Sequence, residues 1–153
     1  MASMVMVSPF VEYDVLRGLG EGAIKHVWLA RKSRNCSTAD VVVKYDRGNR
    51  RTNILQEAFF LRKAAHEHVI RLIDVCERKK GGEKRSSDSP MLVFPSADQD
   101  LANFLETRTC ALQPILVRML MEQLAAALAH IHSCGIIHRK PEPANCLLFM
   151  SVH

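Results

Sequence analysis

The chain has 153 residues, of which 48% are hydrophobic and 24% are charged, and its formal net charge is +5. This is the length of one domain or of part of one, and the apolar content suffices for a core, which excludes a disordered or fibrous chain. The basic clusters contain no interleaved aromatic residues, so they fit solvated loops better than a nucleic-acid surface.

The cysteines indicate reduced thiols. They lie at Cys36, Cys76, Cys110, Cys134 and Cys146, and no two of them form a Cys-x-x-Cys pair. An odd and dispersed set argues against disulfides and zinc, and for an intracellular protein, cytoplasmic or nuclear. The first ten residues do not have the pattern of a signal peptide. Charged and polar residues interrupt the apolar run at 115–131, so we expect no membrane span there.

The strongest local pattern in the first half is a glycine turn between predicted strands. Gly20 and Gly22 allow the backbone to turn tightly and to approach a ligand closely, because glycine has no Cβ. A return strand contains Val27, and a third strand of β-branched residues contains Val42 and ends at Lys44. A lysine that closes an apolar strand needs an anion nearby. Glycines alone fit an ordinary β-hairpin equally well.

A helix is predicted over residues 52–65, with Glu57 inside it. Its apolar face is formed by Ile54, Ala58, Leu61 and Ala65. On this pattern alone, Glu57 is a solvated surface carboxylate. The polar residues 77–90 then predict a loop, and residues 91–94 predict a strand.

Two further helices are predicted after a short connector. Asp100 is placed to cap the first, because an aspartate side chain accepts hydrogen bonds from backbone N–H groups at a helix start. The second, over residues 113–133, has Pro114 in its first turn and Gly135 just beyond its end. Its leucine stripe fits a core helix or a helix that faces a partner.

Together, these segments resemble a known family. Gly-x-Gly-x-x-x-x-Val followed by Val-Val-Val-Lys is similar to the glycine-rich loop and third strand of eukaryotic protein kinases, and Ile-His-Arg-Lys-Pro-Glu-Pro-Ala-Asn at 137–145 is similar to their catalytic loop. Leu-Val-Phe, a connector of three residues and Asp-Gln-Asp-Leu resemble the hinge of cyclin-dependent kinases, in the cell-cycle-related branch.

The resemblance implies an α+β fold. It predicts a kinase-like N-lobe, made of an antiparallel sheet of about five strands and one helix (the C-helix), and then the first helices and the catalytic-loop hairpin of the C-lobe. The expected divisions are an N-terminal extension at 1–11, the N-lobe and hinge at 12–97, and a partial C-lobe at 98–153. The similarity ends with the strand after Asn145, so we expect a domain truncated after the catalytic loop.

The resemblance also implies a nucleotide site for ATP, with weak binding. Glu57 would pair with Lys44 and hold it for the phosphates. Phe94 would close the rear of the pocket, and Asp100 would reach the ribose. The residues implied in nucleotide binding are Gly20, Gly22, Val27, Val42, Lys44, Glu57, Phe94, Pro95, Ala97, Asp100 and Leu147.

Three positions depart from the family pattern. Lys140 replaces the aspartate that accepts the substrate proton, Glu142 replaces the lysine that steadies the transferred phosphate, and Lys25 replaces the third glycine of the loop. Of the family's Mg²⁺ ligands only Asn145 is present in the chain, so the metal site is incomplete. If the resemblance is set aside, the alternative interpretation is that Lys140 and Glu142 form a solvated ion pair on a loop stiffened by prolines.

Three hypotheses therefore remain open at this point. The first is an inactive pseudokinase or kinase fragment that retains an ATP pocket. The second is an active serine/threonine kinase that transfers the γ-phosphate of ATP to proteins. The third is a degenerate, truncated gene product. The resemblance implies a cyclin-like partner at the C-helix, and the apolar stripe implies a protein partner that covers the 113–133 helix. We expect no nucleic-acid or membrane partner.

Overall fold

A computed structural model describes residues 5–7, 12–21, 25–32, 40–46, 51–77 and 90–150. The prediction for Gly22 lies outside these residues, and so does most of the predicted 77–90 loop. The chain forms two compact units. The first contains Met1–Arg62 and Arg71–Ser96, and the second contains Lys63–Ile70 and Ala97–His153.

The first unit is an antiparallel sheet with one helix. Its strands are β1 (Val5–Val7), β2 (Glu12–Glu21), β3 (Lys25–Lys32), β4 (Asp40–Asp46), β5 (Asp74–Glu77) and β6 (Pro90–Pro95), and helix α1 spans Arg51–Lys63. The spatial order is β1-β2-β3-β4-β6-β5. The α+β prediction is confirmed. The strand β1, which pairs with β2, lies in the segment that we expected to be an extension.

Strand register divides the sheet residues between two faces. Val27 pairs with Lys44, and Lys44 pairs with Leu92, so these three side chains lie on the same face. Val42 pairs with Phe94 on that face. Because successive residues of a strand point to opposite faces, the residues between them point the other way.

The opposite face carries the main core of the unit. Its buried cluster consists of Tyr13, Ala30, Val41, Val43, Tyr45, Cys76, Met91 and Val93, with Trp28 packed against it. Burial, together with the nearby Cys76 and Asp74, raises the pKa of Tyr13 to about 12. Strand β6 is buried along Pro90–Phe94, which explains why its sequence is almost entirely apolar.

Helix α1 agrees with the predicted span of 52–65 to within two residues. It buries Ile54 and Ala58 as the periodicity predicts. At its end the prediction is wrong: Ala65 is exposed and Ala64 is buried. The helix ends at Lys63 and a turn follows, so the 3.6-residue period no longer determines which side chain faces inward.

The second unit contains two short strands, two helices and a 3₁₀ turn. The elements are β7 (Gln99–Asp100), α2 (Leu101–Glu106), α3 (Pro114–Ser133), a 3₁₀ turn at Pro143–Asn145 and β8 (Leu147–Leu148). Among the described residues, the strand that pairs with β8 is β7, which is distant from it in sequence. The N–H of Asp98 and the N–H of Leu101 donate to the carbonyls of Leu148 and Cys146 and extend this pairing.

Helix α3 begins and ends as its sequence predicts. Pro114 is its first residue, and Gly135 follows in the left-handed region with φ 71°. The helix buries Ala127 and Ile131. The remaining leucines of the predicted stripe are half-buried, namely Leu116, Leu120, Leu124 and Leu128. The exposed large apolar residues of this helix are instead Ile115, Val117, Met119 and Met121.

The segment 63–70 is held against α3 within the second unit. The rings of His66 and His130 stack with centroids 4.8 Å apart. The thiol of Cys134 donates to the carbonyl of Lys63 over 3.5 Å. His66 also accepts a hydrogen bond at Nδ1 from the backbone N–H of His68, which fixes the turn.

Among the described residues, α3 is long and apolar enough to cross a membrane, as judged by length and composition alone. The charged residues that interrupt its sequence therefore do not by themselves exclude a membrane span. The core helix of a folded domain can have the same length and apolar composition, so these two properties do not separate the two kinds of helix.

Candidate functional site

In the first unit, Lys44 and Glu57 form an ion pair that joins β4 to α1. Lys44 directly follows the three valines of β4, and Glu57 lies in the middle of the helix. Both side chains are largely shielded, with 21% and 30% of their surfaces exposed. The solvated-carboxylate alternative for Glu57 is therefore wrong, because the structure places its carboxylate against the Lys44 ammonium.

The same face of the sheet supplies an apolar surface beside Lys44. Val27 and Val42 are half-buried there, and Phe94 is buried next to Val42 on the neighbouring strand. Gly20 lies opposite Val27 in β2, at the edge of this surface. A flat apolar surface beside a fixed ammonium has the chemistry that an adenine nucleotide needs, with a base to cover and phosphates to neutralise.

The predicted hinge residues follow directly along the chain. Pro95 ends β6 opposite Val41, and Ala97 is half-buried in the connector. Asp100 accepts a hydrogen bond at Oδ1 from the N–H of Asn103 over 2.8 Å, so it is the N-cap of α2, as predicted. Its proposed contact with a ribose stays a prediction.

In the second unit, Lys140 and Glu142 form an ion pair with Nζ and Oε1 2.8 Å apart. The exposed fractions of the two side chains are 70% and 40%. The ion-pair alternative for these two residues therefore describes their arrangement correctly. Asn145 joins them, because its Nδ2 donates to the same Glu142 oxygen over 3.3 Å and to the carbonyl of Lys140 over 3.1 Å.

Backbone contacts hold this loop in a tight form. The N–H of Glu142 donates to the carbonyl of Lys140, and the N–H of Asn145 donates to the carbonyl of Glu142. Arg139 has φ 69°, a left-handed conformation that L-residues seldom adopt. Cys146 donates its thiol to the carbonyl of Glu142, and burial raises the pKa of this thiol. Leu147, in β8, is exposed.

Two features of the second unit have no signal in the sequence that we used. One is the left-handed Arg139, since arginine gives no hint of a positive φ. The other is Asp98, whose Oδ2 accepts a hydrogen bond from the N–H of Met150 over 2.6 Å. An aspartate in a connector is a common turn residue, and that pattern could have suggested a structural role for Asp98.

Comparison with known proteins identifies the family. Residues 13–152 match the protein kinase domain. The chain belongs to the protein kinase family. Its cyclin-dependent-kinase-like character is supported by its relatives. A probable CTD kinase subunit alpha homolog of Encephalitozoon cuniculi is 34% identical over 140 residues, which are 90% of this chain and 39% of that protein.

Two further relatives agree with this assignment. Cyclin-dependent kinase 9 of Homo sapiens is 27% identical over 90% of this chain and 38% of its own length. A serine/threonine-protein kinase of Yarrowia lipolytica is 26% identical over 89% of this chain and 20% of its own length. The chain therefore spans about two fifths or less of these relatives. Helix α3 lies within the matched residues 13–152.

Metal-binding groups are sparse in the described part of this kinase-family chain. No group of three or more His, Cys, Asp or Glu side chains is arranged there to hold a metal ion. Asn145, the ligand that the resemblance implied, donates through its Nδ2 within the loop, whereas a cation would use its Oδ1. Mg²⁺ requires several oxygen ligands, of which the Oδ1 of Asn145 would supply one.

Proposed function

We propose that this kinase-family chain binds an adenine nucleotide weakly and does not transfer its phosphate, so that it acts as a pseudokinase. The observation that carries the proposal is the Lys140–Glu142 ion pair in the catalytic-loop segment. Both residues take positions that the family uses for chemistry, and in this chain they neutralise each other.

The loss of catalysis follows from the charges of these side chains. Lys140 places an ammonium where the family has a carboxylate, and an ammonium is a donor with no lone pair to accept the proton of a substrate hydroxyl. The carboxylate of Glu142 repels a phosphoryl group where a lysine would neutralise it. Acid–base assistance alone contributes roughly 10²–10⁴ in rate, and charge stabilisation adds to it.

The nucleotide-binding part rests on the first unit. Lys44, held by Glu57, would contact the phosphates of ATP, while Val27, Val42 and Phe94 would line the base. Val42 is bulkier than the alanine usual in the family at this position, which supports weak binding. ATP supplies the transferable phosphate in the family, and we expect this chain to bind ATP without using it.

A second candidate function, an active serine/threonine kinase, is favoured by one observation. The Lys44–Glu57 pair is formed, and in kinases that pair must be in place for phosphate transfer. Such an enzyme would need another proton acceptor than Lys140 and another phosphate clamp than Glu142. The pair is equally compatible with nucleotide binding without transfer, and the charges of Lys140 and Glu142 oppose transfer, so we favour the first candidate.

We also infer a cyclin-like partner at α1 and an intracellular location, cytoplasmic or nuclear. The surface of α1 exposes Leu55, Phe59 and Phe60, and the two phenylalanine rings pack edge to face. Exposed aromatic clusters of this kind are typical of interfaces. The name of the human relative, cyclin-dependent kinase 9, indicates the kind of partner. The exposed apolar residues of α3 support a second protein partner, which would cover this helix.

The experiment that tests the function is transfer of radiolabelled phosphate from ATP by the purified chain. Substrates are the chain itself and a mixture of basic proteins, and the Lys44→Ala variant is the control. We expect equal, background incorporation by both proteins. Incorporation by the unaltered chain that the control lacks would support the active-kinase alternative and overturn our proposal.

A further inference from the structure

One side of helix α3 is exposed and combines large apolar residues with a single ion pair. The apolar residues Ile115, Met119 and Met121 have exposed fractions of 59%, 49% and 57%. On the same side, Nε of Arg118 lies 2.7 Å from Oε1 of Glu122. At 3.6 residues per turn, this ion pair lies between Met121 on one flank and Ile115 and Met119 on the other. The buried residues of the helix lie on the opposite side.

Any partner that covers this side of α3 must also meet its two charges. Exposed apolar side chains of this size are typical of interaction sites. The contact between Arg118 and Glu122 joins one guanidinium N–H to one carboxylate oxygen, whereas a guanidinium has five N–H donors and a carboxylate has two oxygens. Burial of the remaining groups is costly unless they are paired. Lipid tails or a uniformly apolar protein surface would not pair them.

A second copy of α3 that runs in the opposite direction supplies both charges. With a two-fold axis at the level of Leu120, midway between the charged residues, Arg118 of each copy lies at the level of Glu122 of the other. A parallel arrangement would instead place the two Arg118 side chains side by side, and likewise the two Glu122 side chains, so that like charges repel. The charge pattern is therefore complementary to itself only in the antiparallel arrangement.

We propose that α3 is the contact surface of a homodimer, in which its exposed side packs antiparallel against the same side of a second copy and Arg118 of each copy pairs with Glu122 of the other. Removal of the apolar side chains from water stabilises the dimer, and the ion pairs determine its direction. This inference names the second protein partner inferred for α3 and rests on that part of the proposed function. It does not depend on nucleotide binding or on phosphate transfer.

The test reverses each charge in turn in the full chain and then mixes the two variants. Glu122→Arg leaves two arginines on each copy, and Arg118→Glu leaves two glutamates, so each variant alone repels its own copy. We expect the dissociation constant of the dimer to rise at least about tenfold for each variant. An equimolar mixture should recover a dimer, because the arginines of one chain then face the glutamates of the other. Sedimentation equilibrium of the separate and mixed proteins measures both effects.

Two controls distinguish this contact from a general effect of charge. Asp40→Arg and Arg31→Glu change the net charge by the same amounts, at an ion pair in the first unit. Alone and mixed, they should dimerise like the unaltered chain. A chain that carries both Arg118→Glu and Glu122→Arg should also dimerise like the unaltered chain, because the opposite charges are only exchanged. Repulsion within one helix persists in the mixture, so it cannot cause the recovery.

Several results would overturn the proposal. They are an unaltered chain that stays monomeric, single variants that dimerise as tightly as the unaltered chain, a mixture that does not recover, and an exchanged double variant that does not dimerise. Equal behaviour of the control pair and the α3 pair would overturn it as well. The sedimentation samples contain no ATP, so such a failure leaves the proposed absence of phosphate transfer unaffected.

Discussion

Lys44 on β4 and Glu57 on α1 are ion-paired although they are 13 residues apart in sequence. Strand β4 positions the lysine and helix α1 positions the glutamate, so the ion pair forms only when both elements are in their observed places. A lysine near the end of an apolar strand is tolerated because this carboxylate lies beside it. The ammonium is then held in a defined position on the sheet face that also carries Val27 and Val42.

Replacing Lys44 by methionine should weaken the binding of ATP by about tenfold or more, because charge-assisted contacts to phosphate are among the stronger polar contacts. Isothermal calorimetry with the purified chain measures this. Arg31→Met is the matched control, since Arg31 is ion-paired with Asp40 on the same sheet. If the two variants bind ATP equally, net charge and not Lys44 determines the affinity.

Much of the fold and of the candidate site could be predicted from the sequence, because local sequence features determine those parts. Proline at the start of α3 and glycine beyond its end define that helix, and β-branched residues define β4. The opposite charges of Lys140 and Glu142, two residues apart on a short loop, made their ion pair predictable as one of the alternatives.

Other features depend on tertiary structure and could not be predicted. The burial of Ala64 in place of Ala65 follows from where the helix stops, and the pairing of β8 with β7 joins segments far apart in sequence. The left-handed Arg139 directly precedes the closed turn that begins at Lys140, and that turn is formed by contacts within the folded loop. Local propensity gives no information on such contacts.

Nucleotide binding should depend little on Mg²⁺. Asn145 would supply one oxygen ligand, Oδ1, and the described residues hold no group of three or more His, Cys, Asp or Glu side chains that could bind a metal ion, whereas Mg²⁺ requires several oxygen ligands. We expect the dissociation constant of ATP to differ by less than about threefold between Mg²⁺ and EDTA, roughly 0.7 kcal/mol. Calorimetry in the two buffers measures the ratio, with Asn145→Ala as a control that should leave it unchanged. Strictly Mg²⁺-dependent binding would show that a metal site exists.

Gly135→Ala should destabilise the chain by about 1 kcal/mol. Gly135 has φ 71°, and a Cβ there would meet nothing within 4 Å, so the cost is conformational and not steric. Gly135→Asn is the matched control, because asparagine tolerates the left-handed region better and should cost less. Urea unfolding of the three proteins gives the free energies. Equal losses for alanine and asparagine would contradict this explanation.

The exposed apolar residues of α3 should make the isolated chain self-associate. Ile115 and Met119 are one helical turn apart and are both largely exposed. We expect Ile115→Gln together with Met119→Gln to shift the chain toward monomer in sedimentation equilibrium. Ala126→Gln, at an exposed position of the same helix, is the control and should have no effect. An unaltered chain that stays monomeric at high concentration would contradict the prediction.

The buried phenol of Tyr13 should cause the free energy of unfolding to fall in alkali. Its phenol is buried on the core face of the sheet, and burial together with Cys76 and Asp74 raises its pKa to about 12. In the unfolded chain a tyrosine ionises at its ordinary value, about pH 10. Between these values the unfolded state binds fewer protons than the folded state, so the free energy of unfolding falls as pH rises.

The size of this loss is about 2–3 kcal/mol over the interval from pH 10 to pH 12, as an upper limit for one group. Other groups titrate there as well, so the measured quantity is the difference between the unaltered chain and Tyr13→Phe. Urea unfolding at several pH values should show that the phenylalanine variant loses less stability across the interval. Parallel curves for the two proteins would mean that the Tyr13 phenol ionises as readily in the folded chain as in the unfolded one.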